Sequence, residues 1–310
     1  MSGAPFALRA AFEKLLGREA LAYLLHLRPM EWPIMTAHLL LGALWASGLG
    51  AFAPGAWPWT LLGWFAFVAL LNGGTLAINS AFDNDEGDIG YLKAPPKPPR
   101  HLLAFSVLLL AASLAAALPF FRIGPSGGLF FWTVLGCVVM SVLYSVPPVR
   151  LKARAGWDLL INCLGFGFLT PLAGWALSGR PVPAAVLWAC AGFGLLFAAL
   201  YPMTQIYQVA EDRARGDRTL VIRMSVPRSL DMALAALALA HGAFARAAWI
   251  HGRQPLWLAG SLAAWLLVLV PWRLAWARWT DAQHEAGMYR GLVAWAITDL
   301  SLLALLWPRG

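Results

Sequence analysis

Four acids fall within six residues in the stretch INSAFDNDEGDIGYLKAPPKPPR, residues 78–100: Asp83, Asp85, Glu86 and Asp88. A second group, Glu211, Asp212 and Asp217, sits in YQVAEDRARGDRTL. Together they make seven of the fifteen Asp and Glu in a chain where 12% of residues are charged. On a helix, Asn79 and Asp83 are four apart and project from one face, as do Gln208 and Asp212. Two carboxylate groups facing each other across a bundle repel strongly unless cations lie between them. Oxygen ligands of this kind suit Mg²⁺, which a few carboxylates hold together with substrate phosphates. A plainer reading makes both stretches solvated loops whose acids cap helices or pair with Arg. It fits the second stretch better, because EDRARGDR alternates in sign.

Between the two lies YSVPPVRLKARAGWD, with Tyr144, Arg150, Lys152, Arg154 and Asp158. Pro147 and Pro148 end an apolar run and turn the chain. Arg150 and Lys152 then stand at the level of the acidic loops, and both side chains hold phosphate oxygens well. They also serve as an ordinary basic flank of a membrane span. Taken together, the three loops describe a pocket with two metal-ligating groups and a phosphate clamp. The runs beneath them are rich in Trp, Phe, Leu and Gly. A ligand with a diphosphate head and a long hydrocarbon tail suits that combination.

The elements that position these loops are apolar runs. The chain has 310 residues, 60% of them hydrophobic, with 17 Trp and a mean hydropathy of +0.66. Ordinary soluble domains carry about twice this share of charge. A span needs about 20 mostly apolar residues, and nine runs qualify: 31–51, 58–81, 101–121, 128–146, 157–178, 184–209, 229–250, 254–272 and 288–307. The fold class is therefore an all-α polytopic membrane bundle. The runs are continuous rather than alternating, which excludes a β-barrel. Residues 1–20 carry Arg9, Glu13, Lys14, Arg18 and Glu19 without an apolar core, so no cleavable signal peptide is expected. Residues 1–30 instead read as an amphipathic segment on the membrane surface, ahead of a single domain spanning 1–310.

Of the 23 Lys and Arg, 18 fall in the N-terminal segment and the loops after the even-numbered spans. The N-terminus and the acidic loops are therefore expected on the cytoplasmic side. That bias explains most of the net charge of +8, and no nucleic-acid partner is needed. Cys137, Cys163 and Cys190 lie in apolar runs at unrelated spacings and read as small core residues. His38 and His241 read as packing residues. Asp299, deep in the last run, is either functional or paired with a neighbouring span. Asn162, a turn beyond Asp158, faces either the cavity or another helix. Gly165, Gly167 and Gly174 read as close-packing positions more than cavity-shaping ones.

With these residues in place, the chain resembles the UbiA-type intramembrane prenyltransferases. The resemblance rests on nine spans, two acidic loops after spans 2 and 6, a Tyr/Lys-bearing loop after span 4, and LRPMEW, similar to the family's Arg-Pro-x-x-Trp entry. Against the family's N-D-x-x-D-x-x-x-D, Asn79 and Asp83 match; Ser80 and Gly87 depart, and Asp85 or Asp88 supplies the missing carboxylate. Against D-x-x-x-D, Asp212 matches and Gln208 departs, shifting metal binding toward Glu211 or Asp217. Tyr144, Arg150 and Lys152 match Y-S-x-P-P-x-R-x-K.

The resemblance implies a bundle of spans around a central cavity and Mg²⁺-dependent transfer of a prenyl group from a prenyl diphosphate to an aromatic or lipid acceptor in the bilayer. It implies catalytic roles for Asp83, Asp212, Lys152, Arg150 and Tyr144, and substrate binding by Asn79, Arg28, Asn162, Asp158 and Gln208. It also implies metal binding by Asn79, Asp83, Asp85, Asp88, Asp212, Glu211 and Asp217. The basic groups would neutralise the leaving diphosphate, aromatic rings would stabilise an allylic cation, and Asp158 is a candidate proton acceptor. A non-catalytic family member and a multi-span transporter are the alternatives. A transporter would place its charges near mid-membrane, where only Asp299 falls.

Overall fold

The computed structural model describes Arg9 and residues 12–83, 95–214, 216 and 219–308, leaving aside the side chains of Glu211 and Ala214. Among them, nine helical stretches are long and apolar enough to cross a membrane. They are Arg18–Phe52, Trp57–Asp83, Leu102–Arg122, Gly127–Ser145, Trp157–Ala176, Ala184–Ile206, Val226–Ile250, Pro255–Arg278 and Asp281–Leu306. No strand occurs among the described residues. The protein is an integral multi-pass membrane protein.

Several boundaries differ from the hydropathy reading. The first span starts at Arg18 rather than 31. Its helix Arg18–His26 joins Trp32–Ser47 through a 3₁₀ turn at Pro29–Glu31, with Arg28 left-handed (φ 48°). The helix Arg18–His26 buries Leu21, Ala22 and His26 and packs against Gly73–Asp83 of the second span. The last span begins at Asp281 rather than 288. Thr280 Oγ1 accepts the Gln283 N–H while the Gln283 side chain accepts the Thr280 N–H, a capping box that starts the helix in polar sequence. The eighth span runs on to Arg278 rather than 272, and the sixth ends at Ile206 rather than 209.

Apolar surface gives little drive for helix association in lipid, so close backbone approach and interhelical hydrogen bonds carry more of it. The first and fifth spans cross through Gly42 and Gly174. A Cβ on Gly42 would meet Pro171 O, and one on Gly174 would meet Leu39 O. The sixth and seventh spans run together along most of their length, and a Cβ on Gly192 would strike the Phe244 ring. Hydrogen bonds join the seventh, eighth and ninth spans: His241 Nε2 to Ser261 Oγ (3.1 Å), Ser261 Oγ to Thr298 Oγ1 (2.7 Å), and Trp265 Nε1 to Thr298 Oγ1 (3.0 Å). His241 is thus a satisfied packing residue. Leu256, Leu267, Leu274 and Trp249 are exposed, as side chains facing lipid would be.

His38 and Asp299 answer one another across the first and ninth spans. His38 Nδ1 lies 3.5 Å from Asp299 Oδ1, and the fully buried imidazole stacks on Phe166. The partner foreseen for a deep carboxylate is therefore His38, which is more than a packing residue. Cys137 and Cys190 are buried, Cys163 is half-buried, and all three are free.

Candidate functional site

The first, second, fourth, fifth, sixth and ninth spans enclose a cavity of about 390 Å³. At the end bearing the loops after spans 2 and 4, its wall carries Arg28, Glu31, Asn79, Tyr144 and Asn162. Farther along it is mostly apolar, with Phe67, Leu71, Cys137, Phe166 and Phe197 beside Asn72 and Thr170. Two stretches of this wall, Phe65–Asn72 and Cys163–Leu169, are π-helical. Such wide turns shift the register of the side chains that follow and recur at functional sites. Thr75 Oγ1 and Ser141 Oγ bond at 2.7 Å, tying the second span to the fourth within the wall.

Two segments far apart in sequence meet at the polar end. Lys152 Nζ donates to Asn79 Oδ1 (2.5 Å) and to Asp83 Oδ1. Arg150 Nη2 donates to the same Asp83 oxygen (3.2 Å), and Ser145 Oγ to Asn79 Oδ1 (3.4 Å). Asp83 and Lys152 are mostly buried, with 16% and 12% of their side chains exposed, so their attraction is poorly screened. Arg150, like Arg28, has a left-handed backbone (φ 35°) and leads into a 3₁₀ turn. Non-glycine residues in that region are strained, and they cluster where function over-determines the backbone.

A second network stands behind Tyr144. Its hydroxyl contacts Asn162 and Tyr201. Tyr201 donates to Asp158 Oδ2 (3.1 Å), joined there by the Gln205 amide (3.3 Å), while the Gly156 N–H donates to Asp158 Oδ1 (2.8 Å). Asn162 Nδ2 donates to the Asp158 carbonyl at 2.8 Å. Asp158 is fully buried and does not line the cavity. It reaches the cavity through Tyr201 and Tyr144 rather than by touching a ligand, and this enclosure argues against its taking up an acceptor's proton.

The expected site residues therefore divide. Asn79, Arg28, Tyr144 and Asn162 line the cavity; Asp83, Arg150 and Lys152 adjoin it through Asn79; Asp158 supports it. Asp212 is buried on the helix Val209–Ala214, its N–H donating to Gln208 O (2.9 Å). Gln208 points its amide at the Tyr207 hydroxyl (3.4 Å), and neither residue lines the cavity. Among the described residues no three acids, His or Cys gather as a ready metal group. Asp85, Asp88, Asp217 and the Glu211 side chain lie outside the described residues.

The donor set nevertheless suits Mg²⁺ at one point. Asn79 Oδ1 and Asp83 Oδ1 converge on a single cation, the Lys152 ammonium. Two hard oxygens aimed at one position are what a magnesium ion needs from protein when phosphates complete its shell.

Sequence reading missed Glu31, Asn72, Tyr201 and Gln205. Asn72 lies two turns from Asn79 on one helical face, and Gln205 stands one turn before Gln208. Both spacings were visible signals. Glu31 stands three residues after Arg28, also a visible spacing, whereas Tyr201 carried none, because its partners Tyr144 and Asp158 come from other spans. The three glycines also separate. A Cβ on Gly167 would crowd Gly194 Cα at 2.6 Å, whereas Gly165 lines the cavity and its Cβ would come no nearer than 3.6 Å to Met140 Cε.

A model of the UbiA prenyltransferase family matches residues 37–293. The 1,4-dihydroxy-2-naphthoate octaprenyltransferase of Escherichia coli (strain K12) is 25% identical over 223 residues, 66% of this chain and 68% of that protein. The chloroplastic chlorophyll synthase of Arabidopsis thaliana is 27% identical over 216 residues, covering 63% of this chain and about half (51%) of that protein. A solved structure of a UbiA homolog from Archaeoglobus fulgidus bound to DMAPP and Mg²⁺ matches with a TM-score of 0.66 at 21% identity. The match covers 91% of this chain and 99% of that one, a likeness of fold.

Proposed function

Because the chain belongs to the UbiA prenyltransferase family, we propose that it transfers a prenyl group from a prenyl diphosphate to an aromatic or lipid acceptor within the membrane, with Mg²⁺. The observation that carries this reading is the convergence of Asn79 and Asp83 on one cation, beside Arg150 and above an apolar cavity. The basic side chains are concentrated in the N-terminal segment and the even-numbered loops, which favours placing the site on the cytoplasmic side.

Asn79 and Asp83 would hold the metal, with Asp85 and Asp88 from the sequence that follows and Asp212, Glu211, Asp217 and Gln208 from the second motif. Bound there, Mg²⁺ offsets the charge that builds on the departing diphosphate. Lys152 and Arg150, on long flexible stems, exchange Asp83 for phosphate oxygens as the donor enters, and Arg28 approaches from the first span. The hydrocarbon lies along Phe67, Leu71 and Phe197. Tyr144 and Phe166, both in the cavity wall, are the rings within reach of the allylic carbon as it becomes cationic. Asn162 and Asp158 fix the Tyr144 hydroxyl, and the apolar wall keeps water from the cation.

The test uses the purified full-length chain in detergent with radiolabelled geranyl, farnesyl and geranylgeranyl diphosphates and a panel of aromatic and lipid acceptors. Donor binding and diphosphate release are expected with Mg²⁺, are lost on adding EDTA, and return with excess Mg²⁺. A folded protein that binds none of the three donors would overturn the reading.

Asp158→Asn keeps an oxygen for Tyr201 but removes the charge that gathers the network. Supporting partners of this kind typically contribute 10- to 100-fold. The variant is expected to elute like wild type and to turn over roughly 10- to 100-fold more slowly. Steady-state rates beside size-exclusion profiles measure both, and an unchanged rate would remove Asp158 from the supporting role.

A further inference from the structure

The second and fourth spans face each other through a ladder of polar side chains. Ser145 Oγ donates to Asn79 Oδ1 at 3.4 Å, and one turn farther in Ser141 Oγ and Thr75 Oγ1 bond at 2.7 Å. The next rung breaks the pattern. Asn72, a turn beyond Thr75, lines the cavity, while at the matching step the fourth span offers Cys137, a weak partner. Asn72 Nδ2 is buried and has no hydrogen-bond partner among the described residues.

Other polar groups in the wall are engaged. Thr170 and Thr204 turn their hydroxyls onto Gly165 O and Tyr201 O of their own spans, at 3.0 and 2.8 Å. Asn162 bonds to the Asp158 carbonyl, and Arg28 and Glu31 face one another. A buried amide N–H left unpaired carries its full desolvation cost, so such a group calls for a partner. The amide turns readily about its last bond, which lets either its N–H or its carbonyl reach the cavity. Asn72 stands seven residues farther in than Asn79, about 10 Å along the helix. With phosphate oxygens beside Asn79 and reacting carbons about 3.5 Å apart, the far edge of an acceptor ring falls near Asn72. A prenyl tail does not satisfy the amide, because hydrocarbon neither donates nor accepts.

We propose that Asn72 holds an oxygen of the acceptor, and that the acceptor is therefore an aromatic ring bearing a hydroxyl or carbonyl on the side away from the diphosphate. This rests on the prenyl-transfer reading above and narrows the acceptor class within it. Turned one way, the amide donates its N–H to that oxygen; turned the other, its carbonyl accepts from a hydroxyl. Either bond fixes the orientation of the ring and so which of its atoms faces the allylic carbon. A site built around a buried amide discriminates against an analogue lacking the oxygen, because the amide is then left unpaired. Asn72 thus sets specificity by touching the acceptor and not the diphosphate.

Asn72→Leu and Asn72→Gln are compared with wild type, using the full chain in detergent, geranyl diphosphate as donor and Mg²⁺. Two probes differ by one oxygen: 1,4-dihydroxynaphthalene, kept anaerobic, and 1-naphthol. Wild type is expected to prenylate the diol with a KM at least about 10-fold below that for 1-naphthol. In Asn72→Leu, KM for the diol rises about 10-fold or more, while KM for 1-naphthol and the affinity for geranyl diphosphate stay within about two-fold. Tm is unchanged or higher in this variant, since an apolar side chain of similar size replaces a buried unpaired amide; a purely structural Asn72 would lower it. Asn72→Gln, which keeps the amide, recovers part of the preference for the diol. The proposal is overturned by an Asn72→Leu enzyme that keeps the wild-type ratio between the probes, by a lowered Tm with equal losses for both, or by a wild type that releases diphosphate but prenylates neither arene. Absence of any Mg²⁺-dependent diphosphate release in wild type would count against the prenyl-transfer reading instead.

Discussion

Asp83→Ala is expected to lower Mg²⁺-dependent prenyl transfer by roughly 1,000-fold or more, the scale of losing a preorganised charge at a reacting group. Two functions are lost at once. The hard oxygen that pairs with Asn79 is gone, and Lys152 and Arg150 lose the partner that aims them at the polar end of the cavity. The fold should survive. Asp83 is the last described residue of its helix, and its partners are two long side chains that can turn toward water. Transfer rates and donor binding, measured alongside elution profile and Tm, separate the effects. Asp83→Asn refines the outcome by keeping the shape and removing the charge. A rate within ten-fold of wild type for Asp83→Ala would exclude this residue from the site, and the cation geometry at Asn79 would need another explanation.

Gly174→Leu should cost the protein its fold. Any Cβ at residue 174 meets the carbonyl oxygen of Leu39, and the reciprocal position, Gly42, sits against the Pro171 carbonyl. Both obstacles are backbone, so no rotamer change relieves them; the first and fifth spans must move apart. In a bilayer nothing replaces that close contact, since lipid tails are as apolar as the side chains. A penalty beyond about 4 kcal/mol is expected, in the range reserved for severe core disruption. Yield of monodisperse protein and Tm in detergent report it. Gly165→Ala is the comparison: its Cβ has ordinary contact distances and enters the cavity. It should fold normally and alter donor affinity. A Gly174→Leu protein as stable as wild type would show that the two spans do not cross as described.

Much of this molecule is readable without a structure, because the signals are local. A run of about 20 apolar residues crosses a membrane whatever lies around it. Asn79 and Asp83 share a face because an α-helix repeats every 3.6 residues. Tyr144 stands just before, and Arg150 and Lys152 just after, a proline pair that any reader can see end a span. From those features came the bundle, the polar end of the site and the family resemblance. Boundaries were misjudged where hydropathy and helix chemistry part company: DAQHEAG is polar, yet its capping box starts the last helix at Asp281.

What the sequence left open was the rotation of each span about its own axis. A helix apolar on every side offers no stripe from which to read its inward face, so partners contributed by other spans stay hidden. Only packing of the whole bundle decides that Lys152 reaches Asp83, that His38 meets Asp299, and that Gln205 rather than Gln208 bonds Asp158. The same packing makes Gly174 a crossing point, Gly165 part of a cavity wall, and Glu31 the acid that faces inward. Composition and short-range spacing thus determined the class, the spans and the chemistry of the loops. Tertiary structure alone decided which side chains share a space, because that depends on contacts between residues whose separation along the chain carries no signal.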